Sequence, residues 1–197
     1  MIEKNVVISW LTNFNEKIQA NSAYLNTLDT PIGDGDHGAN MARGMTAVIE
    51  TLASKEMLDA SEVFKVSGMQ LLTKVGGASG PLYWSAFTGI AKGLSAGQSI
   101  DNALDSGLND IKKRGNSDIG EKTLIDVWAP VIKSLSTGEH LTDQAIDTFV
   151  DATKDLKASK GRASYLGDRS IGHIDPGAYS SGLFFKAMLE SGGAEID

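Results

Sequence analysis

The sequence predicts an all-α protein, a single domain over residues 1–197 built from seven or eight helices. Three observations predict it. Apolar residues recur at steps of three and four along most of the chain, the period of a helix with one buried face. No stretch alternates apolar and polar residues in the manner of a half-buried strand. The periodic segments are joined by short turns, and no Pro/Ser-rich linker, repeat or low-complexity segment divides the chain.

The first helix is carried by Val7, Trp10, Leu11, Phe14 and Ile18. A glycine-rich acidic loop follows, and a second helix is expected from about Gly38 to Leu52, with Ala39, Met41, Ala42, Met45, Val48 and Ile49 as its apolar pattern. Ala60, Phe64, Leu71, Leu72 and Val75 form a third face that ends at Gly76-Gly77. The turn from Gly76 to Pro81 leads into a fourth helix through Leu82, Trp84, Phe87 and Ile90. Ile100, Leu104, Leu108 and Ile111 make a fifth, with Lys112, Lys113 and Arg114 in its last turn and Gly115 as its stop. Leu124, Val127, Trp128, Val131 and Leu135 make a sixth, expected to kink at Pro130. Thr142 reads as the N-cap of a seventh carrying Ile146, Phe149, Val150, Thr153 and Leu156. The last begins near Ser180, with Leu183, Phe184, Ala187 and Met188 inward. Between the last two, Lys160 to Gly177 has little helical periodicity. Loops of that length are functional or disordered, and its apolar residues argue for order.

The chemistry concentrates in the stretch Asp29 to Asn40. Asp34 and Asp36 flank a glycine, so a bent backbone can aim both carboxylates at one point, and Asp29 lies just upstream. No Lys or Arg lies within the segment to neutralise them. Two readings fit: a solvated acidic turn, or a hard divalent cation such as Mg²⁺ held by oxygen ligands with positions left for phosphate. The helix that follows favours the second, since free N–H groups at a helix N-terminus suit anions. Gly76 to Pro81 permits close backbone approach to a ligand, with Ser79 as a hydroxyl donor. Arg162 and Arg169 are candidate phosphate clamps, and Asp175-Pro176-Gly177 is a turn able to offer an acceptor to a base or ribose.

Three familiar motifs fail. Gly33 to Gly38 has the letters of a dinucleotide fingerprint but no strand before it and no βαβ pattern around it. An EF-hand would need its glycine one place later and Glu where Met45 stands. Gly115 to Thr123 misses a phosphate-binding loop by one inserted residue, Glu121.

Composition sets the outer bounds. The 197 residues are 41% hydrophobic and 22% charged, enough for one good core. No apolar run approaches a membrane span and the start does not read as a signal peptide, so no membrane association is expected. The absence of cysteine excludes disulfides and thiolate chemistry and fits a cytoplasmic protein. A net charge of −7, from 18 basic and 25 acidic residues, argues against nucleic acid as a partner.

Four motifs in order then carry a resemblance. Gly33-Asp34-Gly35-Asp36-His37-Gly38, Gly76-Gly77-Ala78-Ser79-Gly80-Pro81-Leu82-Tyr83, Lys122-Thr123-Leu124-Ile125-Asp126, and Gly161-Arg162-Ala163-Ser164-Tyr165-Leu166-Gly167 through Asp175-Pro176-Gly177 closely resemble the dihydroxyacetone kinase L family (DhaL), across essentially the whole chain. The resemblance implies an eight-helix antiparallel barrel with a nucleotide site at one end. It implies that Asp29, Asp34 and Asp36 coordinate two Mg²⁺ ions bridging the phosphates of ADP or ATP. It places His37, Gly38, Ala39 and Asn40 against the nucleotide, Ala78 and Ser79 at the phosphate end, and Gly115, Leu124, Arg162, Asp175, Pro176 and Gly177 around the rest.

The implied activity is that of the separate ADP-binding subunit of a phosphotransferase-system-dependent dihydroxyacetone kinase. The resident ADP takes a phosphoryl group from a phosphohistidine on an M subunit and passes it to dihydroxyacetone held on a K subunit. No residue of this chain is then required as nucleophile or base. An L-type domain serving another acceptor, such as bound fatty acid, or a non-catalytic nucleotide-binding regulatory module would keep the same site.

Overall fold

The computed structural model describes residues 2–194, and among them every regular element is helical. The eight α-helices are α1 (Lys4–Asp29), α2 (His37–Ser54), α3 (Ala60–Lys74), α4 (Ser79–Ser95), α5 (Ile100–Gly115), α6 (Ile125–Thr137), α7 (Asp143–Ala152) and α8 (Pro176–Glu190). Short 3₁₀ segments at Thr153–Asp155 and Arg162–Ser170 lie between α7 and α8. Among the described residues no helix is long and apolar enough to cross a membrane.

The predicted helices all form, and the differences lie at their ends. α4 begins at Ser79 rather than after Pro81, because a proline in the first turn gives up an N–H that has no helical acceptor anyway. α5 keeps Gly115 as its last helical residue, and Asn116 takes the left-handed position at φ 45° that closes it. α6 runs through Pro130 as one element. Thr142 caps α7 as expected, its hydroxyl accepting from the Ala145 N–H, but the helix gives way to the 3₁₀ turn before Leu156. α8 starts four residues earlier than expected, with Asp175 as N-cap and Pro176 in the first turn. The long stretch before it is ordered by two 3₁₀ segments broken at Gly167, whose φ is 57°.

Each helix packs on its neighbours in sequence, and α8 returns to α1, which closes the ring into a barrel. Consecutive helices alternate in direction, through short turns early in the chain and through the long 153–175 stretch before α8. Inside, Phe184 is the hub of an aromatic core and lies against Trp10, Phe14, Phe87, Trp128 and Phe185 at centroid separations of 4.6–5.5 Å. The Trp10 indole N–H donates to the Phe184 carbonyl at 2.8 Å, so its burial strands no donor.

The alternation of helix directions places the N-termini of α2, α4, α6 and α8 at one end of the barrel. The connections preceding those four helices line a single cleft there. Four positive helix ends facing one cavity favour an anion in it. The α1–α2 corner is fixed by Gly38, since a Cβ there would overlap the Ser22 carbonyl oxygen and crowd Leu25. Gly38→Ala is expected to cost about 3 kcal/mol by overpacking, read as a lowered melting temperature.

Candidate functional site

The acidic loop is shaped by its own hydrogen bonds. The buried Asp29 carboxylate accepts through Oδ2 from the Asp36 N–H at 3.0 Å and the His37 N–H at 3.2 Å, folding the loop back over the end of α1. The Gly33 N–H also returns to the Asp29 carbonyl at 2.6 Å. A side chain at Gly33 would strike Asp29 Oδ1, and Gly35 adopts φ 76°, so these two glycines are required by the turn. The outcome is that one carboxylate oxygen each from Asp29, Asp34 and Asp36 lies within 4.8 Å of the others. An all-oxygen triad with two of its members exposed has the donor chemistry of a Mg²⁺ site that leaves room for phosphate oxygens. Arg162 reaches across from the 3₁₀ segment, Nη1 to Asp34 Oδ2 at 2.7 Å, and offsets part of the negative charge.

Opposite the triad, the α3–α4 turn brings Ala78 and Ser79 to the cleft wall. Gly80 has no room for a side chain because the Val75 carbonyl lies where its Cβ would stand. The Ser79 hydroxyl is hydrogen-bonded to His37 Nδ1 at 3.0 Å, and His37 Nε2 to the Ser180 hydroxyl at 3.0 Å. Burial lowers the His37 pKa to about 4, against the opposing pull of Asp29, so the imidazole is neutral at physiological pH.

Around the far wall, Lys122 is almost fully buried in a left-handed conformation at φ 60°. Its ammonium donates to the Thr153 carbonyl at 2.5 Å and to the His173 carbonyl, tying the α5–α6 connection to the segment that enters α8. Desolvation lowers its pKa, opposed by Asp175, Asp155 and Asp126. Asp126 secures the same connection from below, accepting from the Gly120 N–H at 2.5 Å and the Thr123 N–H at 2.8 Å. Asp175 caps α8 by accepting from the Ala178 N–H at 2.7 Å, yet burial pushes its pKa up to about 7.

Those two shifted groups have opposing effects on stability. Asp175, with a raised folded pKa, contributes stability below pH 3.8 that is lost as pH rises to about 7. His37, with a lowered folded pKa, contributes stability above pH 6.5 that is lost as pH falls to about 4. Their slopes largely cancel between these limits. Asp175→Asn, which keeps a good N-cap, is expected to unmask the His37 slope, so that its melting temperature rises relative to the wild type's from pH 4 to pH 6.5. Thermal melts across that range check it.

The cleft has a volume of about 530 Å³, within the range of small-molecule sites. It gathers Asp29, Asp34, Asp36, His37, Asn40, Ala78, Ser79, Gly115, Leu124, Arg162, Asp175, Pro176 and Gly177 from four separate connections and the helix ends beside them. Gly38 and Ala39 are not brought to its surface: Gly38 packs on α1, and the Ala39 N–H donates to Asn26 Oδ1 at 3.1 Å. The start of α2 is also less free for an anion than the sequence suggests, since its first amides already serve Asp29, Asn26 and the Asp36 carbonyl. Lys122, Arg114 and Lys160 line the cleft without having been singled out. Lys122 stood inside a recognised motif, but nothing in its local sequence signals burial.

Comparison with known proteins agrees with this geometry. A family profile described as DAK2 domain matches residues 31–190. The chain is 50% identical over 193 residues to the ADP-binding subunit DhaL of PEP-dependent dihydroxyacetone kinase 1 from Listeria innocua, covering 96% of this chain and 97% of that one. It is 49% identical over 190 residues to the ADP-binding subunit DhaL of the PTS-dependent dihydroxyacetone kinase of Lactococcus lactis, covering 96% and 98%. Among solved structures, the dihydroxyacetone kinase of C. freundii in complex with AMP-PNP and Mg²⁺ superposes with a TM-score of 0.77 at 28% identity, over 95% of this chain. The chain spans about a third of that kinase, 34% of its length. With matches of this extent the chain belongs to the DAK2 domain family, among the DhaL subunits of dihydroxyacetone kinase.

Proposed function

We propose that this chain is the ADP/ATP-binding subunit of a dihydroxyacetone kinase, carrying a resident ADP that is phosphorylated and dephosphorylated in place. The observation that carries the reading is the position of the carboxylate triad, its oxygens within 4.8 Å, beside a cleft at the positive ends of four helices. A nucleotide brings phosphate to such a cleft, and Mg²⁺ reconciles phosphate with aspartate. The C. freundii kinase, solved with AMP-PNP and Mg²⁺, supports the same ligand class.

In this reading Asp29, Asp34 and Asp36 hold two Mg²⁺ ions, which supply charge neutralisation for in-line phosphoryl transfer. Ser79 and the start of α4 meet phosphate oxygens, and Arg162 leaves Asp34 to meet the ligand's negative charge. His37, with Asn40 and the neighbouring Gly38 and Ala39, shapes the start of α2 beneath the phosphates. Gly115, Leu124 and the turn Asp175-Pro176-Gly177 enclose the nucleoside, with Lys122 fixing the two connections that form that wall. No side chain of this chain acts as nucleophile or base; the attacking groups belong to the partners. The donor is a phosphohistidine on an M subunit, and the acceptor is dihydroxyacetone on a K subunit.

The test is the mass of the protein under non-denaturing conditions. One ADP and two Mg²⁺ ions are expected to travel with each chain. Addition of Mg²⁺ and ADP at a hundredfold excess over Kd is expected to stabilise stripped protein by about 2.7 kcal/mol. A chain that carries neither and whose melting temperature is unmoved by both together would end this reading.

A further inference from the structure

Behind Ser79 a line of hydrogen bonds runs from the cleft into the core. The Ser79 hydroxyl meets His37 Nδ1 at 3.0 Å, His37 Nε2 meets the Ser180 hydroxyl at 3.0 Å, and Ser180 meets the Tyr83 hydroxyl at 2.8 Å. Tyr83 lies 3.3 Å from the Ser181 hydroxyl, which accepts from the Trp128 indole N–H at 3.0 Å. Tyr83, Trp128, Ser180 and Ser181 are all buried, a setting in which polar groups need hydrogen-bond partners.

The direction of each bond follows from counting protons. An indole N–H only donates, so Ser181 accepts there and its own proton is available to the Tyr83 oxygen. The Tyr83 proton then goes to Ser180. That leaves the single Ser180 proton two acceptors: the Gly177 carbonyl at 3.1 Å, or His37 Nε2.

If Ser180 donates to Gly177, the imidazole proton sits on Nε2 and donates to Ser180. Nδ1 then accepts the Ser79 proton, and Ser79 offers the cleft only lone pairs. If Ser180 donates to Nε2, the imidazole proton sits on Nδ1 and donates to Ser79 Oγ. The Ser79 proton is then released toward the cleft. Each hydroxyl and the imidazole carry one proton in both arrangements. The first uses one more bond, to Gly177, and is preferred with no anion present. The second is what a phosphate oxygen demands, because it only accepts, and a hydrogen bond to a charged group is about twice as strong as a neutral one.

We propose that Tyr83, Ser180, Ser181 and Trp128 are positioning residues that make the His37 tautomer a two-state element, and that a nucleotide phosphate at Ser79 switches it from the Nε2–H to the Nδ1–H form. The proposal rests on the nucleotide reading of the cleft.

The experiment uses ¹⁵N-histidine-labelled protein, stripped of ligand and then given ADP with Mg²⁺, with ADP binding followed by calorimetry on the same samples. The chain has three histidines, and a His37→Gln sample assigns the signals. The two ring nitrogens of His37 are expected to exchange their protonated and unprotonated signatures when ADP binds. Ser79→Ala, at an unburied position on the cleft wall, is expected to bind ADP about tenfold more weakly and to keep the Nε2–H form with ADP bound. ADP binding with an unchanged Nε2–H tautomer in the wild type would overturn the switch alone, as would a full exchange in Ser79→Ala. Absence of ADP binding would overturn the nucleotide reading and the switch with it.

Discussion

The purified chain, given ATP, Mg²⁺ and free dihydroxyacetone, is expected to show no sustained turnover. One cleft at one end of the barrel combines acidic, hydroxyl and arginine groups in a form suited to phosphate chemistry. The hollow between α4 and α5 is lined by Gly89, Gly93, Lys92, Asp110 and Lys113 among others, none of which lines the cleft. Covalent capture of a ketone by a histidine has no candidate in this cleft. Both ring nitrogens of His37 are already committed to serine hydroxyls, and neither His140 nor His173 lines the cleft. Adding a K subunit to ATP-loaded protein is therefore expected to give one burst, at most one dihydroxyacetone phosphate per chain. Adding an M subunit with its phosphate supply is expected to turn that burst into continuous production. Sustained synthesis by the chain alone would show a self-contained kinase and remove the need for partners.

How much of this was legible in the sequence depends on the kind of residue. The helices were legible because a buried face repeats locally: Val7, Trp10, Leu11, Phe14 and Ile18 are each fully buried, as their spacing required. The acidic triad was legible because three carboxylates and three glycines fall within twelve residues. The ends of α4 and α8 were harder, since Pro81 and Pro176 read as breaks yet stand in first turns, where proline is tolerated. Trp84 belonged by period to the inward face of α4, but Tyr83 is the buried neighbour; Trp84 stays half-exposed, with Arg114 5.7 Å above its ring. The contribution of Lys122 was invisible, because its burial depends on carbonyls 31 and 51 residues away. The His37–Ser180–Tyr83 line was hidden for the same reason, its members separated by 143 and 97 positions. Period and composition reveal what neighbours in sequence do together; they do not reveal partners that only the closed barrel brings into reach.

Asp34→Ala and Asp36→Ala are expected to lower phosphoryl transfer in the reconstituted system by more than about a hundredfold, because each removes an oxygen from the triad proposed to hold the Mg²⁺ that neutralises the nucleotide. Folding should be nearly untouched. Both side chains are exposed, and the Asp34–Arg162 pair joins two groups with side-chain exposures of 43% and 69%, a setting in which an ion pair contributes little. Asp29 behaves differently. It is buried and its Oδ2 holds two loop amides, so Asp29→Ala removes hydrogen bonds that shape the loop and loses stability along with activity. The comparison therefore separates ligand binding from architecture within one triad. Melting temperatures of the ligand-free proteins should fall for Asp29→Ala and stay near the wild type for the other two. Retained ADP and Mg²⁺, read by native mass, should be lost in all three. Undiminished activity and Mg²⁺ content in Asp34→Ala and Asp36→Ala would reduce the loop to a solvated acidic turn, and the cation would have to be sought elsewhere in the cleft.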